Sequence, residues 1–251
     1  MTRELVYGRQ PVREVLRAGK RQILELLVTE RALASESWLR DVPGLRLQIV
    51  PERRLNEAAR AAEHQGVVAF CEPYRYADAH ELVVGESPLL VCLDQVTDPH
   101  NLGAVIRSAE GAGANGIVIT ERNAARVTAA VCKASAGAVE HLPVAVVVNL
   151  ARYLEEIKGP QLWVWAADGG AETSVWQADF VTGVVLVFGA EGRGLRPGVR
   201  RVCDDAFSVP LAGHVDSLNV SVAAGVALFE VARQRGGRGE AAVTDATSGH
   251  P

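Results

Sequence analysis

The chain has little of several things that mark particular classes of protein. Aromatic residues make up only 5% of its 251 residues, and there is a single methionine. No apolar run approaches the ~18 residues that a membrane-spanning helix needs. The first ten residues, MTRELVYGRQ, also lack the apolar core of a signal peptide. We therefore expect a cytoplasmic protein with no membrane association.

Cysteine and histidine are sparse, and neither is spaced as a metal site requires. The four cysteines, at positions 71, 92, 132 and 203, form no CxxC pair, and each lies in or beside an apolar segment. We interpret them as reduced thiols of the core. The six histidines show no HxxxH or HxH spacing, so no metal site is predicted.

An excess of positive charge is missing as well, because the net charge is −4. That value argues mildly against a nucleic-acid-binding protein. The charge is uneven, however: residues 1–75 hold 13 basic and 10 acidic side chains, and the remainder holds 13 basic and 20 acidic ones. A basic front is compatible with one RNA-contacting module, and ordinary surface variation explains the charge equally well.

What the sequence does have is a large apolar core and a regular alternation of strands and helices. Hydrophobic residues make up 48% of the chain, most of them Val, Leu and Ala. From residue 89 onward, strands are predicted at 89–93, 116–120, 142–147, 162–167 and 184–188. Helices are predicted between them, at 102–112, 125–135 and 149–158, and a last helix runs from Ser217 to Arg235. This alternation predicts an α/β fold whose parallel sheet is covered by helices on both faces.

The residues before this region predict a separate small α/β domain over 1–73. Its strands are expected at 22–29, 45–50 and 66–71, and its helices at about 11–19, 32–41 and 51–63. The turn His64-Gln65-Gly66 is interpreted either as the end of the last of these helices or as an RNA contact. Residues 74–87 are polar and predict a linker with a short helix at 77–83. Residues 236–251 are rich in Gly, Ser and Thr and predict a disordered tail.

Three short segments of the second region place polar side chains at the ends of apolar runs, where sites are usually built. The first, Asn101-Leu-Gly-Ala-Val-Ile-Arg107, follows a predicted strand directly. Asn101 is a good helix N-cap, and Arg107 lies about one and a half turns further on. From there an arginine could reach a phosphate or a ribose hydroxyl, although a surface position explains it as well.

The second segment, Gly189-Ala-Glu-Gly-Arg-Gly-Leu195, continues from a buried strand. Its glycines allow a ligand to approach the backbone closely, but their spacing differs from the dinucleotide-binding GxGxxG. Glu191 would repel phosphates, which favours a cationic or ribose-bearing ligand such as S-adenosylmethionine. A tight turn with a solvated glutamate is the alternative.

The third segment, Ser217-Leu-Asn-Val-Ser221, opens the last predicted helix, with Ser217 as its expected N-cap. That helix is apolar almost all round until Glu230, so we expect it to be buried by its own domain or by a partner subunit. Asn219 and Ser221 lie near its start and need hydrogen-bond partners. A ligand, a reacting ribose or neighbouring backbone would supply them.

Taken together, in this order, the three segments resemble the motifs of the SpoU/TrmH family of RNA ribose 2′-O-methyltransferases. The resemblance covers about Tyr7 to Arg235. YGRQPVREVL and HQGVVAF are similar to the RNA substrate-binding extension found in the members that act on ribosomal RNA. Within the family the pattern is most similar to members that methylate a guanosine ribose of 23S rRNA.

The resemblance implies a methyltransferase domain over 88–235 with a deep trefoil knot, S-adenosylmethionine as the cofactor and a homodimer. It implies that the N-terminal domain binds 23S rRNA. Residue by residue, it implies a catalytic set made of Asn101, Arg107, Glu191, Ser217 and Asn219. It implies cofactor contacts at Gly189, Val209, Leu211 and Leu218.

The family view makes the arginine the base that removes the hydroxyl proton. A guanidinium scarcely ever deprotonates, so we expect Arg107 instead to hold the ribose and its phosphate and to stabilise the developing oxyanion. The alternatives are a tRNA guanosine 2′-O-methyltransferase and a non-catalytic RNA-binding protein of ribosome assembly. Without the resemblance, a doubly wound dehydrogenase is a further alternative, which the missing GxGxxG disfavours.

Overall fold

The computed structural model describes residues 2–40, 46–60 and 63–236. These residues form two β-sheets, one from the N-terminal part of the chain and one from the part that follows it. The N-terminal unit is a mixed sheet with the strand order β1-β4-β2-β3. Its strands are β1 (Glu4–Tyr7), β2 (Ile23–Val28), β3 (Leu47–Ile49) and β4 (Val67–Cys71). Its helices are α1 (Arg9–Ala18), α2 (Glu30–Ser35) and α3 (Glu52–Ala59). The three predicted strands are confirmed, and β1 pairs with β4 as a further, unpredicted strand.

The helices of this unit begin near the predicted residues but end earlier. Gly19 ends α1 in the left-handed conformation, with φ of 62°, as expected for a glycine C-cap. Arg60 ends α3 in the same conformation, with φ of 50°. The prediction that α3 extends to the turn at Gly66 is therefore wrong. The parts of the predicted elements that fall on residues 41–45 and 61–62 lie outside the described residues.

The second unit is a six-stranded sheet with the order β10-β8-β9-β5-β6-β7, in which all five pairings are parallel. Its strands are β5 (Leu89–Asp94), β6 (Gly116–Thr120), β7 (Val144–Val147), β8 (Leu162–Ala167), β9 (Gly183–Gly189) and β10 (Asp205–Phe207). Its helices are α4 (Pro99–Gly111), α5 (Ala129–Ala134), α6 (Leu150–Ile157), α7 (Pro197–Val202) and α8 (Val220–Gln234). The predicted parallel α/β fold is confirmed. Only α7 and β10 have no counterpart in the prediction, because each is too short to show a hydrophobic period.

Alternate side chains of β5 enter two different cores, which explains why the strand is a continuous apolar run. Leu89, Val91 and Leu93 pack on the side of α4, α5 and α8. Leu90 and Cys92 pack on the side of α6 and α7. All four cysteines are buried and free of disulfide bonds, as the sequence predicts.

The strand order places the ends of β5 and β9 side by side, with Asp94 opposite Gly189. From β5 the chain moves outward to β6 and β7 on one side, while β9, β8 and β10 lie on the other. Ligands of open parallel sheets bind where the strand order reverses, beyond the carboxyl ends of the strands. The first two of the three polar segments therefore meet at this point.

The two units meet through a set of polar contacts, here called the junction and defined by Glu4, Glu14, Arg21, Glu140 and His141, of which Glu14, Arg21 and Glu140 are buried. The Arg21 side chain is only 3% exposed; its Nε donates to Glu140 Oε2 at 3.0 Å, and its Nη2 donates to the other carboxylate oxygen. Arg21 Nη1 contacts Glu4 at 3.3 Å, and His141 Nε2 lies 2.7 Å from Glu14. The buried Arg21–Glu140 pair joins the two units, and loss of either partner would leave the other charge buried without compensation.

The segment 74–87, predicted as a linker, runs along the second sheet. The backbone N–H of Ala77 donates to Val144 at 2.9 Å, and the hydroxyl of Tyr74 accepts from the N–H of Val144 at 3.2 Å. A 3-10 helix at His80–Leu82 replaces the predicted helix at 77–83. The polar composition of the segment signals irregular backbone, but it carries no information on packing.

No helix in the described ranges is long and apolar enough to span a membrane. The predicted tail, 236–251, lies outside the described residues except for Gly236. The trefoil knot stays a prediction.

Candidate active site

The first polar segment begins with a helix cap at Asp98 and not at Asn101. Asp98 Oδ1 accepts from the N–H of His100 at 2.9 Å, and α4 starts at Pro99. The prediction that Asn101 caps this helix is therefore wrong by three residues. Because Asp98 satisfies the helix terminus, the buried side chain of Asn101 is free to make contacts across the sheet.

Asn101, Glu191 and Asn219 form one hydrogen-bonded cluster, here called the amide–carboxylate cluster. Asn101 Nδ2 donates to Glu191 Oε1 at 3.1 Å, and Asn219 Nδ2 lies 2.5 Å from the same oxygen. Asn219 Nδ2 also donates to Asn101 Oδ1 at 2.9 Å. Each residue comes from a different one of the three segments, so the fold brings together side chains 118 positions apart.

Asn219 has a second role as the N-cap of α8. Its Oδ1 accepts from the backbone N–H of Ser221 at 2.8 Å and from the Ser221 hydroxyl at 2.6 Å. The prediction that Ser217 caps this helix is therefore wrong. The polar pair Asn219 and Ser221 is satisfied within the chain, and the cap holds the Asn219 amide toward Glu191.

Arg107 and Ser217 remain outside the cluster. Arg107 is exposed on α4, and within the described residues its side chain makes no hydrogen bond or ion pair. Ser217 lies on the wall of the larger cavity beside the cluster, and its hydroxyl likewise has no partner in the described ranges. The structure thus brings together three of the five predicted catalytic side chains, and it leaves the arginine apart.

That larger cavity has a volume of 960 Å³ and is bounded by the glycine loop and by the chain before α8. All four positions predicted to contact a cofactor line it: Gly189, Val209, Leu211 and Leu218. Val215 adds a further exposed apolar side chain, while Asp168, Glu191 and Asp216 add carboxylates. An apolar wall with exposed backbone and several carboxylates suits a ligand that combines an aromatic base with cationic groups.

Gly189 is required by a backbone crossing. A β-carbon at this position would lie 2.1 Å from the carbonyl carbon of Gly194 and 2.4 Å from the nitrogen of Leu195. Ala190 and Gly194 are bridged antiparallel, so the loop folds back over the end of β9. Gly192 and Gly194 take φ of 72° and 64°, which glycine adopts at no steric cost.

Asp94 and Arg196 are two positioning residues that the sequence reasoning missed. The Asp94 carboxylate is fully buried at the end of β5, and it accepts from the backbone N–H of Arg196 at 2.9 Å and from Nε at 2.8 Å. This pair ties the end of the glycine loop to the neighbouring strand. The sequence signal that could have revealed Asp94 is a charged residue at the end of an otherwise apolar strand, LLVCLD.

A cavity at the switch point of a parallel sheet, walled by an amide–carboxylate cluster, defines a class of enzyme that binds a nucleoside-like cofactor. Residues 88–229 match the SpoU rRNA methylase family, and residues 5–77 match the RNA 2′-O ribose methyltransferase substrate-binding family. The chain belongs to the SpoU rRNA methylase family.

Individual relatives agree with this assignment. The 23S rRNA (guanosine-2′-O-)-methyltransferase RlmB of Photobacterium profundum is 36% identical over 94% of this chain and 99% of its own length. An uncharacterized tRNA/rRNA methyltransferase of Synechocystis is 39% identical over 93% of this chain, which spans 63% of that longer protein. The methyltransferase AviRb of Streptomyces viridochromogenes, solved in complex with AdoMet, superposes with a TM-score of 0.78 at 28% identity, covering 93% of this chain and 90% of AviRb.

Proposed function

We propose that this protein transfers a methyl group from S-adenosylmethionine to the ribose 2′-hydroxyl of a guanosine in 23S rRNA. The observation that carries the proposal is the amide–carboxylate cluster, which joins the three family segments at the wall of the 960 Å³ cavity. The RlmB relatives, which match this chain over nearly their whole length, support the choice of 23S rRNA and guanosine. The match of residues 5–77 to a substrate-binding family supports an RNA-binding role for a domain over 1–73, ahead of a linker at 74–87.

The residues of the larger cavity fit this cofactor. When bound, S-adenosylmethionine supplies an electrophilic methyl group on a sulfonium and leaves as S-adenosylhomocysteine. Leu211, Val215 and Leu218 offer apolar surface for an adenine ring. The backbone of Gly189 and Val209 offers hydrogen-bonding groups, and the Glu191 carboxylate offers a counter-charge for a cationic ligand.

The catalytic roles follow from what each side chain is able to hold. Asn101 and Asn219 fix the Glu191 carboxylate, and the amide–carboxylate cluster and Ser217 orient the acceptor hydroxyl beside the cavity. The hydroxyl proton passes to solvent as the new carbon–oxygen bond forms. Arg107 binds the acceptor ribose and its phosphate and stabilises the charge that develops on the 2′-oxygen.

Because Arg107 lies outside the cluster, the proposal needs a second copy of the chain to complete the site. Val222 and Phe229 of α8 are 51% and 55% exposed, whereas Ala224, Ala227 and Leu228 of the same helix are buried. The Phe229 ring lies against Gly111, and Arg107 is one helical turn before Gly111 on the same face of α4. A homodimer formed on this face would cover the exposed apolar side chains and carry Arg107 toward the partner subunit's cavity.

The test is methyl transfer from radiolabelled S-adenosylmethionine to unmodified 23S rRNA and, separately, to tRNA. The product is mapped by cleavage that is sensitive to 2′-O-methylation. One methylated guanosine in 23S rRNA is the expected result. Label in tRNA would mean that the substrate is tRNA and not 23S rRNA. RNA binding without any label would favour the non-catalytic alternative. Sedimentation of the protein in the same buffer measures whether it is a dimer.

A further inference from the structure

A second, smaller cavity adjoins the first at the amide–carboxylate cluster. It has a volume of 380 Å³, and it shares Ala190, Glu191 and Val220 with the 960 Å³ cavity. Asn101 also lines it. The two cavities therefore meet at these residues, and a group bound in the smaller one lies next to a group bound in the larger one.

The remaining walls of the smaller cavity come from the ends of two neighbouring strands and from the glycine loop. Gln95 follows β5 directly, Asn123 follows β6, and Arg193 belongs to the glycine loop. Within the described residues, the side chains of these three make no hydrogen bonds. Their donors and acceptors are thus available to a ligand.

Gln95 and Asn123 are held in an uncommon backbone conformation. Their φ angles are 63° and 55°, in the left-handed region that glutamine in particular rarely adopts. Neighbouring contacts fix both turns: Thr120 Oγ1 donates to the carbonyl of Arg122 at 3.0 Å, and the N–H of Ala125 donates to the carbonyl of Val96 at 2.9 Å. Two strained, polar residues on one cavity are typical of a site in which side-chain direction matters.

The geometry points to the smaller cavity as the subsite for the acceptor nucleotide. The amides of Gln95 and Asn123 hydrogen-bond the edge of the guanine base, and the Arg193 guanidinium pairs with the adjacent phosphate. This inference rests on the proposed function, because an acceptor ribose must lie beside the methyl donor. An amide offers one donor and one acceptor group, so the pair rejects a base that presents the wrong pattern.

The test uses glycine variants, because glycine adopts a positive φ without strain while it removes the amide. Asn123→Gly and Gln95→Gly are compared with Ala136→Gly, which changes another residue of positive φ, 52°, that does not line the cavity. Dissociation constants for S-adenosylhomocysteine are measured by calorimetry. We expect all three variants to match the wild-type constant within twofold.

Base recognition is read in two ways. The first is kcat/KM on RNA in which the mapped acceptor guanosine is either kept or replaced by adenosine. We expect kcat/KM of each amide variant on the guanosine RNA to fall at least tenfold. We also expect each amide variant to discriminate less between the two bases. The second needs no activity: saturation-transfer NMR with the four nucleoside monophosphates, on protein loaded with S-adenosylhomocysteine. The wild type and Ala136→Gly should give a stronger signal for guanosine monophosphate than the amide variants.

Equal kinetics and equal base preference in the amide variants, or equal nucleotide signals in all four proteins, would overturn the subsite. Methylation of tRNA in place of 23S rRNA would overturn the proposed substrate alone, and the base replacement would then be made at the tRNA position. If the wild type methylates no RNA, the proposed function fails, and the NMR comparison still decides whether the cavity binds a nucleotide.

Discussion

Arg21 and Arg107 show two opposite uses of the same side chain. Arg21 is buried at the junction, where Glu140 and Glu4 accept hydrogen bonds from its guanidinium. Arg107 is exposed on α4, beside an apolar face and without a partner in the described residues. A charge that is buried and fully paired holds two parts of a structure together, whereas an exposed charge without a partner is available to bind a ligand.

The same contrast extends to the surrounding residues. At the junction, Glu14 accepts from Gln10 and Arg17 and contacts His141. Around the two cavities, by contrast, Ser217 and Arg193 have no side-chain partner in the part of the chain that is described. We therefore expect substitutions at the junction to lower stability, and substitutions around the cavities to lower binding or turnover at unchanged stability.

The largest effect is expected from Gly189→Ala, which belongs to the cavity but acts through the backbone. Its β-carbon would lie 2.2 Å from the carbonyl oxygen of Gly194, a distance that only a shift of the loop would relieve. We expect cofactor binding to weaken by at least about 100-fold, because the loop forms one wall of the cavity. Calorimetric titration with S-adenosylmethionine measures it.

Gly198→Ala is the matched control, because a β-carbon at that position meets nothing within 4 Å. It should bind the cofactor as the wild type does. Normal binding by Gly189→Ala would mean that the loop does not need the observed crossing.

Arg107→Ala is expected to lower kcat by about 100-fold or more, the usual cost of removing a group that stabilises an oxyanion. Because the side chain does not line the 960 Å³ cavity, the cofactor dissociation constant should stay within twofold of wild type. Arg107→Lys should restore little, since lysine lacks the planar fork. The measurement is single-turnover methyl transfer beside calorimetry.

Arg152→Ala, an exposed arginine on α6, is the control for the loss of a positive charge. A mixture of Arg107→Ala with Glu191→Ala tests the partner's contribution. If the arginine acts across a dimer, mixed dimers regain part of the turnover. Full activity of Arg107→Ala alone would remove the residue from the catalytic set.

At the junction, Arg21→Met is expected to lower the free energy of unfolding by about 3–5 kcal/mol, because it leaves the Glu140 carboxylate buried without its partner. Side chains of this pair are 3% and 2% exposed. Urea denaturation measures the change. Arg53→Ala, which removes an exposed pair with Glu57, should cost less than about 1 kcal/mol. Equal costs for the two variants would contradict the structural role assigned to the junction.

The comparison also explains what the sequence could predict. Continuous apolar runs such as β5 and β9 predicted the parallel sheet, because burial on both faces leaves a pattern that is visible along the chain. The polar residues at their ends, Asn101 and Glu191, were found because such residues are unusual there. The resemblance to the SpoU/TrmH family predicted that these two residues share one site, which the spacing of residues along the chain could not show.

What could not be predicted depends on contacts between distant segments. Asp98 and Asn219 cap helices that Asn101 and Ser217 were expected to cap, since several residues near each helix start are good caps and tertiary contacts decide among them. The Asp94–Arg196 pair joins residues 102 positions apart, and it follows only from the strand order. Arg107 is likewise apart from the cluster because it lies on the exposed face of α4, and the sequence alone does not show which way that face points.

The smallest predicted effect concerns His64, which lies in the N-terminal unit and sharpens the contrast between structural and functional polar groups. Its Nδ1 accepts from the N–H of Gly66 at 3.0 Å, and its Nε2 lies 2.9 Å from Asn56 Oδ1, so the ring is held as the neutral tautomer. Burial lowers the pKa of His64 below its usual value of 6.5. Below pH 6.5 the unfolded chain therefore takes up a proton at this ring more readily than the folded chain does, and stability falls as the pH is lowered.

We expect the melting temperature to drop between pH 7.5 and pH 5.5 by less in His64→Gln than in the wild type. His214→Gln, at an exposed histidine, should keep the wild-type drop. An identical drop in the wild type and in both variants would show that the ring is not a buried neutral group.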